Sequence, residues 1–434
     1  MDMKKIVFAL SSIPLAASFG ASITSVSAYQ RYPWNNLMDV DFTIAGSESS
    51  MAYRVELSAV YNNGANKVYA RSYLTEPVFE GNGPKRVTWD LGADCPDLKA
   101  DDFAVTVTAT PLASSEIPVY MVIDLSSGPD STKYPVRYTT TPPDLGNDKC
   151  RTTELWLRRI RTGSAFPMGG GDSDMTYLST KKQMTLTKDF YMAIFETTQQ
   201  QWAQVMDTWP SFYSNKTCRA TRPVESIARQ DIRGSFYYYP WPLDTSQGTA
   251  GSVSTKTFAG KVRERTGFAK FDLPTEAQWV YAALGGCVDT SGSNSKRGFY
   301  QSVGSVTDSV VPKIARCGGN GGGVADGDTG ISEVSGDKTG TMTVGRYAPN
   351  AYGLYDMLGN VWEMVLDRWA ADWPENADVA DYKGPGTGSY STLKGLPYNW
   401  SSYYYSVRAR RNLEELDQTA NPGMVGARFC VTLD

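Results

Sequence analysis

From residue 33 to 143, apolar and polar side chains alternate in short runs, the period-two pattern of half-buried strands. The runs are Val40–Ala45, Tyr53–Tyr61, Lys67–Leu74, Arg86–Leu91, Phe103–Thr110, Val119–Leu125 and Val136–Thr140. Turn chemistry separates them at Asn62-Asn63-Gly64, Gly81-Asn82-Gly83-Pro84 and Ser126-Ser127-Gly128-Pro129. Seven short strands at near-regular spacing predict an all-β sandwich of the immunoglobulin or fibronectin type. The stretch from Pro142 to Asp148 then reads as a linker.

From about residue 153 the texture changes. Helical spacing appears at Gln199–Asp207, Ser254–Thr266 and Thr275–Leu284. The third has a clear start, because Thr275 can cap and Gln278 sits three residues on, as in a capping box. Residues 286 to 345 are rich in Gly, Ser and Asp with little periodicity. Such a loop-rich domain needs disulfides or bound cations to fix it.

The first 28 residues read as a secretory leader. Lys4 and Lys5 precede an apolar run over 6–21, and Val26-Ser27-Ala28 fits a small-residue cleavage site before Tyr29. No later stretch approaches the length of a membrane span, so no membrane insertion is expected. The predicted layout is a leader over 1–28, a sandwich over 33–143 and a second domain over 153–434. The mature chain is expected to be secreted, periplasmic or at the cell surface.

Charge and composition narrow the function classes. Lys+Arg total 42 against 46 Asp+Glu, a net charge of -4, which gives no footprint for nucleic acid or an anionic membrane. There is no histidine at all. This excludes His-ligated metals, Ser-His-Asp and Cys-His catalysis, and any histidine general base. Six cysteines, at 95, 150, 218, 287, 317 and 430, permit up to three disulfides in an oxidising compartment. Buried free thiols are the alternative.

Several segments of the second domain form an ordered set: Phe166-Pro167-Met168-Gly169-Gly170, Phe195-Glu196-Thr197-Thr198-Gln199, Arg222-Pro223-Val224-Glu225, Leu273-Pro274-Thr275-Glu276-Ala277-Gln278-Trp279, Asn350-Ala351-Tyr352-Gly353-Leu354-Tyr355-Asp356-Met357-Leu358-Gly359-Asn360-Val361-Trp362-Glu363, and Gly426-Ala427-Arg428-Phe429. Together they resemble the formylglycine-generating enzyme/sulfatase-modifying-factor family. The resemblance implies a variant of the C-type-lectin fold, α+β and loop-rich. It also implies a structural calcium site at the Asp356 carboxylate, the Gly359 and Val361 carbonyls and the Glu363 carboxylate, a donor set that suits a hard cation. The family's other calcium site falls around 317–330, where no residue-level match exists. Catalytic members use two copper-binding cysteines ahead of the closing strand. The matching stretch here, 394–408, holds no cysteine, and the nearest positions are Trp400 and Tyr405. Neither supplies a thiolate, so no copper is expected. Related sulfoxide synthases bind iron through histidines, so no iron is expected either.

That stretch carries a different chemistry. Tyr398, Trp400, Tyr403, Tyr404 and Tyr405 are interleaved with Asn399, Ser401, Ser402 and Ser406, and Arg408, Arg410 and Arg411 follow. Tyr, Trp, Ser, Asn and Arg are the composition of paratopes. The residues expected to bind a ligand are Tyr398, Trp400, Ser402, Tyr403, Tyr404, Tyr405, Arg408 and Arg410. The expected function is non-catalytic recognition of a protein or glycan. The cluster is similar to the variable region of proteins diversified by retroelements, some of which use this fold. The alternative is an oxidase of the formylglycine-generating type acting on a protein cysteine.

Overall fold

A computed structural model describes residues 21–433 except 32–35, 48–50, 75, 97, 99, 101, 170–181, 217, 235–252, 287–298, 301–303, 306, 308, 321–339, 372–379, 386–389 and 415–422. The chain divides into two compact units, 1–119 and 120–434.

The first unit holds seven strands: β1 Ser22–Gln30, β2 Leu37–Ala45, β3 Ala52–Tyr61, β4 Asn66–Tyr69, β5 Val78–Glu80, β6 Gly83–Asp90 and β7 Ala104–Leu112. They form two antiparallel sheets. One has the order β1-β2-β6, and in the other β3 pairs with β4, β5 and β7. Inward-facing residues of both sheets, among them Val40, Phe42, Val55, Val87, Trp89 and Val105, share one core. Alternation along β2 and β3 puts every second side chain in that core. The hairpin between β3 and β4 turns through Asn62, Asn63 and Gly64, all at positive φ, which Asn and Gly tolerate at low cost.

Two expectations change here. The cleavage point expected after Ala28 falls inside β1, which pairs with β2 from Ser22 to Gln30. Ile23, Val26 and Ala28 are buried in the unit's core. A cut after Ala28 would strip the strand from its sheet. Residues 1–20 lie outside the described residues. The run expected over 67–74 ends earlier, at Tyr69, and Tyr73 makes only an isolated bridge to Trp89.

The second unit begins with strands that alternation had assigned to the first. Tyr120–Asp124 (β8) and Val136–Thr139 (β9) do form strands, but they pair with each other and with Glu154–Ile160 (β10). Local alternation marks a strand without saying which sheet it joins. The boundary therefore lies before Tyr120 rather than in the expected linker. That linker is an ordered turn within the second unit, where Gly146 N–H donates to Asp144 Oδ1 at 2.8 Å.

Further strands follow: β11 Phe166–Met168, β12 Lys182–Met184, β13 Phe190–Ala193, β14 Phe271–Asp272, β15 Phe299–Tyr300, β16 Gly304–Ser305, β17 Trp362–Arg368, β18 Tyr390–Lys394, β19 Arg411–Glu414, β20 Val425–Ala427 and β21 Cys430–Thr432. One antiparallel sheet has six strands in the order β14-β21-β13-β10-β8-β9, and another has four in the order β19-β18-β17-β20. Helices are few and short, and the three longest described ones are Gln199–Met206, Phe258–Thr266 and Glu276–Ala283. Thr198 and Thr275 cap the first and third, each with a reciprocal bond from the glutamine three residues on, which satisfies two otherwise orphaned N–H groups. Phe258 stacks between Trp202 and Phe429, with ring centroids at 5.0 and 4.7 Å. This aromatic stack joins two helices to the six-stranded sheet, and each such buried ring contributes about 1.5–3 kcal/mol.

Candidate functional site

The aromatic segment is the connection between β18 and β19. Its two ends run inward and its middle faces out. Tyr398 is 2% exposed. Its hydroxyl accepts from Tyr213 Oη at 2.8 Å, and its N–H donates to Asn360 O at 2.8 Å. Tyr405 is fully buried, and its hydroxyl donates to the carbonyls of Arg316 and Pro397. Burial pushes both phenols up. Between them a 3₁₀ turn over Ser402–Tyr404 reverses the chain.

That turn exposes Tyr403 (47%) and Tyr404 (37%) and leaves Trp400 half-buried. The three rings meet edge to face, with centroids 5.5 Å apart for Trp400–Tyr404 and 5.3 Å for Tyr403–Tyr404, a favoured aromatic geometry. Trp400 rests edge-on against the buried ring of Trp362 at 5.6 Å, and the Arg411 guanidinium lies 5.7 Å from the Trp400 ring centroid. The Gly318 N–H donates to the Trp400 carbonyl at 2.9 Å. The face is thus seated on a sheet and a turn.

Four of the expected ligand-binding residues are not on this face. Tyr398 and Tyr405 are buried beneath it, because their hydroxyls find partners inside the unit. Arg408 and Arg410 are buried too. Arg410 Nη2 donates to Glu276 Oε2 at 2.8 Å, Nη1 donates to Ala370 O at 3.0 Å, and the guanidinium covers the Trp369 ring. Burial lowers the Arg408 pKa. Trp400, Tyr403 and Tyr404 are brought together as expected. Ser402 belongs to the same turn, and its side chain lies outside the described residues.

The residues expected to hold calcium are arranged around a guanidinium. Glu363 accepts from Arg428 at 2.8 and 3.0 Å and from Trp279 Nε1 at 2.7 Å, so both of its oxygens are engaged. Arg428 is fully buried. Burial opposes its charge, but Glu363, Glu196 and Asp356 together outweigh that and raise its pKa. Asp356 Oδ2 accepts from the Gly345 N–H at 2.6 Å, and burial pushes the Asp356 carboxyl up to about 6. Gly359 sits at φ 88°, where an added Cβ would lie 2.3 Å from the Arg316 carbonyl, so glycine is needed for a tight turn there. Val361 donates its N–H to Glu196 Oε1 at 3.0 Å. Of the expected calcium set, Glu363 is thus shared with Arg428, and both carboxylates are buried. Among the described residues no three acidic or cysteine side chains converge as a metal site.

Sequence reasoning missed three residues. Glu196 accepts from Asn360 Nδ2 at 2.6 Å and is pushed well above the usual carboxylate range by burial, then by Asp356 and Glu363. Tyr213 and Glu276 support the aromatic segment from outside it. Glu196 and Glu276 lie in conspicuous motifs, yet only their buried partners give them a role.

The described cysteines, Cys95, Cys150, Cys218, Cys317 and Cys430, are free thiols, so the expected disulfides are not formed among them. Each has a local contact instead: Cys150 lies 3.8 Å from the Asp144 carbonyl, and Cys430 lies 3.7 Å from Gln278 Oε1. Cys287 lies outside the described residues. Cys317 sits beside the aromatic segment, buried, and burial pushes its thiol up, opposite to what a nucleophilic thiol needs. No helix among the described residues is long and apolar enough to cross a membrane.

Comparisons with known proteins agree on the second unit. The formylglycine-generating enzyme of Thermomonospora curvata is 34% identical over 167 residues, 37% of this chain and 46% of that protein. The chaperone protein LppX of Paenibacillus barcinonensis is 27% identical over 210 residues, 46% of this chain and 68% of that protein. This chain thus spans about half the length of the formylglycine-generating enzyme it matches. Among solved structures, Treponema denticola variable protein 1 aligns with a TM-score of 0.44 at 23% identity, covering 64% of this chain and 95% of that one. PvdO from Pseudomonas aeruginosa aligns with a TM-score of 0.44 at 18% identity, with the same coverage. The sequence model of the sulfatase-modifying factor enzyme 1-like domain matches residues 159–432, more than half of the chain, and the chain belongs to that family.

Proposed function

We propose that the protein is an exported, non-catalytic recognition protein that binds a protein or glycan through Trp400, Tyr403 and Tyr404. One observation carries the reading: the segment between β18 and β19 buries aromatic anchors at both ends and, between them, exposes Tyr403 and Tyr404, with Tyr404 packed on the half-buried Trp400. Exposed, edge-packed Tyr and Trp offer contact area at low entropy cost. The family's cysteine pair has no counterpart in 394–408, and the neighbouring Cys317 is a single buried thiol. The first unit, read as an immunoglobulin-like sandwich, serves as a spacer or second binding module. The Asn, Ser and Tyr content of 398–406 also fits a retroelement-diversified segment. A nearby reverse transcriptase gene and an imperfect template repeat at the locus would support that part of the reading, and their absence would remove it.

The test is a glycan and surface-protein array probed with the full chain and with a Trp400→Ala/Tyr403→Ala/Tyr404→Ala variant. The parent should bind features that the variant loses, by roughly 2 kcal/mol or more per hot-spot ring, at unchanged fold. Identical binding by the two proteins would reject the face. Copper-dependent oxidation of a cysteine-containing sulfatase peptide would reject the non-catalytic reading.

A further inference from the structure

Both stems of the aromatic segment end in a buried cation, and both cations meet one carboxylate. β18 and β19 pair antiparallel from Tyr390↔Glu414 to Leu393↔Arg411. The next residues outward are Lys394 and Arg410, where the ladder ends. Like charges facing each other across a strand pair repel, and here both are almost fully buried. Glu276, 1% exposed in the first turn of the Glu276–Ala283 helix, lies between them. Its Oε2 accepts from Arg410 Nη2 at 2.8 Å, and its Oε1 lies 3.5 Å from Lys394 Nζ. The helix start is itself pinned, since the Glu276 N–H donates to Asp367 Oδ2 at 2.6 Å.

We propose that Glu276 is the positioning residue of the aromatic face, holding the entry and exit of residues 395–409 together from a helix more than one hundred residues away in sequence. The inference rests on reading that face as a binding surface. Glu276 is hydrogen-bonded to none of the three rings of the face. It fixes the span across which the connection must close, and a closed span lowers the ordering cost that binding would otherwise carry. The surroundings suit a clamp rather than a reactive centre. Lys394 is faced by Glu276, Arg410 and Arg408, and its ammonium lies 5.4 Å from the Trp279 ring centroid. Asp367 on β17 faces Glu276, Arg410 and Arg229, with Tyr382 beside it. Burial pushes Asp367 up to about 8 and Lys394 down to about 8. Glu276 is the carboxylate in contact with both cations.

Hydrogen exchange on the full chain tests the clamp without any ligand, so the clamp can fail while the face still binds, and the reverse. The amides of Tyr398, Gly359 and Gly318, which bond across the segment to Asn360, Gly395 and Trp400, report on it. In Glu276→Gln they should exchange at least about tenfold faster, while β10 and β13 amides keep parent rates. Parent rates at all three reporters would overturn the proposal, as would equal acceleration throughout the unit. If Glu276→Gln does not fold, Lys394→Met decides. It should loosen residues 395–398 and leave 408–411 protected, because the Glu276–Arg410 pair remains. Loosening of both stems, or of neither, would reject the clamp.

Discussion

Tyr213 and Tyr398 meet hydroxyl to hydroxyl at 2.8 Å with their rings edge to face at 5.5 Å. This contact makes Tyr398 a foundation of the aromatic segment rather than part of its surface. It also separates two kinds of tyrosine within eight residues. Tyr398→Ala and Tyr405→Ala should each destabilise by about 3–5 kcal/mol, the range for large buried aromatics. Tyr403→Ala and Tyr404→Ala should stay within about 0.5 kcal/mol. Urea denaturation of the four variants checks this, and a large loss at Tyr403 would put the outward rings in the core.

The Glu363–Arg428 pair makes a second claim. Glu363→Gln or Arg428→Met leaves a buried charge without its partner and should cost about 3–5 kcal/mol. A chelator titrated against the parent decides whether calcium shares this site: a drop in melting temperature restored by calcium would place a cation beside the pair, and an unmoved curve would leave Glu363 to Arg428 alone.

Buried titrating groups set a pH profile. Asp367 has its folded pKa raised from 3.8 to about 8. A raised pKa means the folded state holds its proton longer, so this contribution is present at low pH and declines as pH rises from about 4 to about 8, with a slope of up to about 1.4 kcal/mol per pH unit. Lys394 has its folded pKa lowered from 10.5 to about 8, so its contribution recovers as pH rises from about 8 to 10.5. Stability measured by denaturant should therefore pass through a minimum near pH 8. Asp367→Asn should flatten the acid limb and keep the alkaline one. An unchanged acid limb would show that another group carries it.

The leader can be tested by mass. Ser22–Gln30 is a full strand with three buried side chains, so any processed form that keeps the first sheet should begin at or before Ser22. The small residues Ser18 and Gly20, each with a small residue two positions earlier, offer suitable upstream cuts. A mature chain starting at Tyr29 would mean that the first sheet forms without β1.

What the sequence made legible was local. The capping box at Thr275 and Gln278, five of the first unit's strands or parts of them, and the ordered motifs were all visible from neighbours within a few residues. Side-chain direction in the irregular segment was not. Tyr398 and Tyr405 look no different from Tyr403 until Tyr213 and Arg316, 185 and 89 residues away, supply partners for their hydroxyls. The same limit applies to Ala28, where a small residue serves a cleavage site and a packed strand equally well. It applies to Glu363 also, whose partner Arg428 lies 65 residues away. Polar groups were recognised by type, and their roles were fixed by contacts that no window along the chain contains.

Arg428 donates to the carbonyls of Ala193 and Tyr355 as well as to Glu363, and β21 lies between β13 and β14 in the six-stranded sheet. The second unit thus closes around residues synthesised near its end, with loops of 65 to 235 residues to be closed at one guanidinium. Such long-range closure is slow to nucleate. The first unit can fold while the second is still emerging from the ribosome. The second must wait as an open chain until β20 and β21 are through, which makes chaperone dependence during transit a property of its topology.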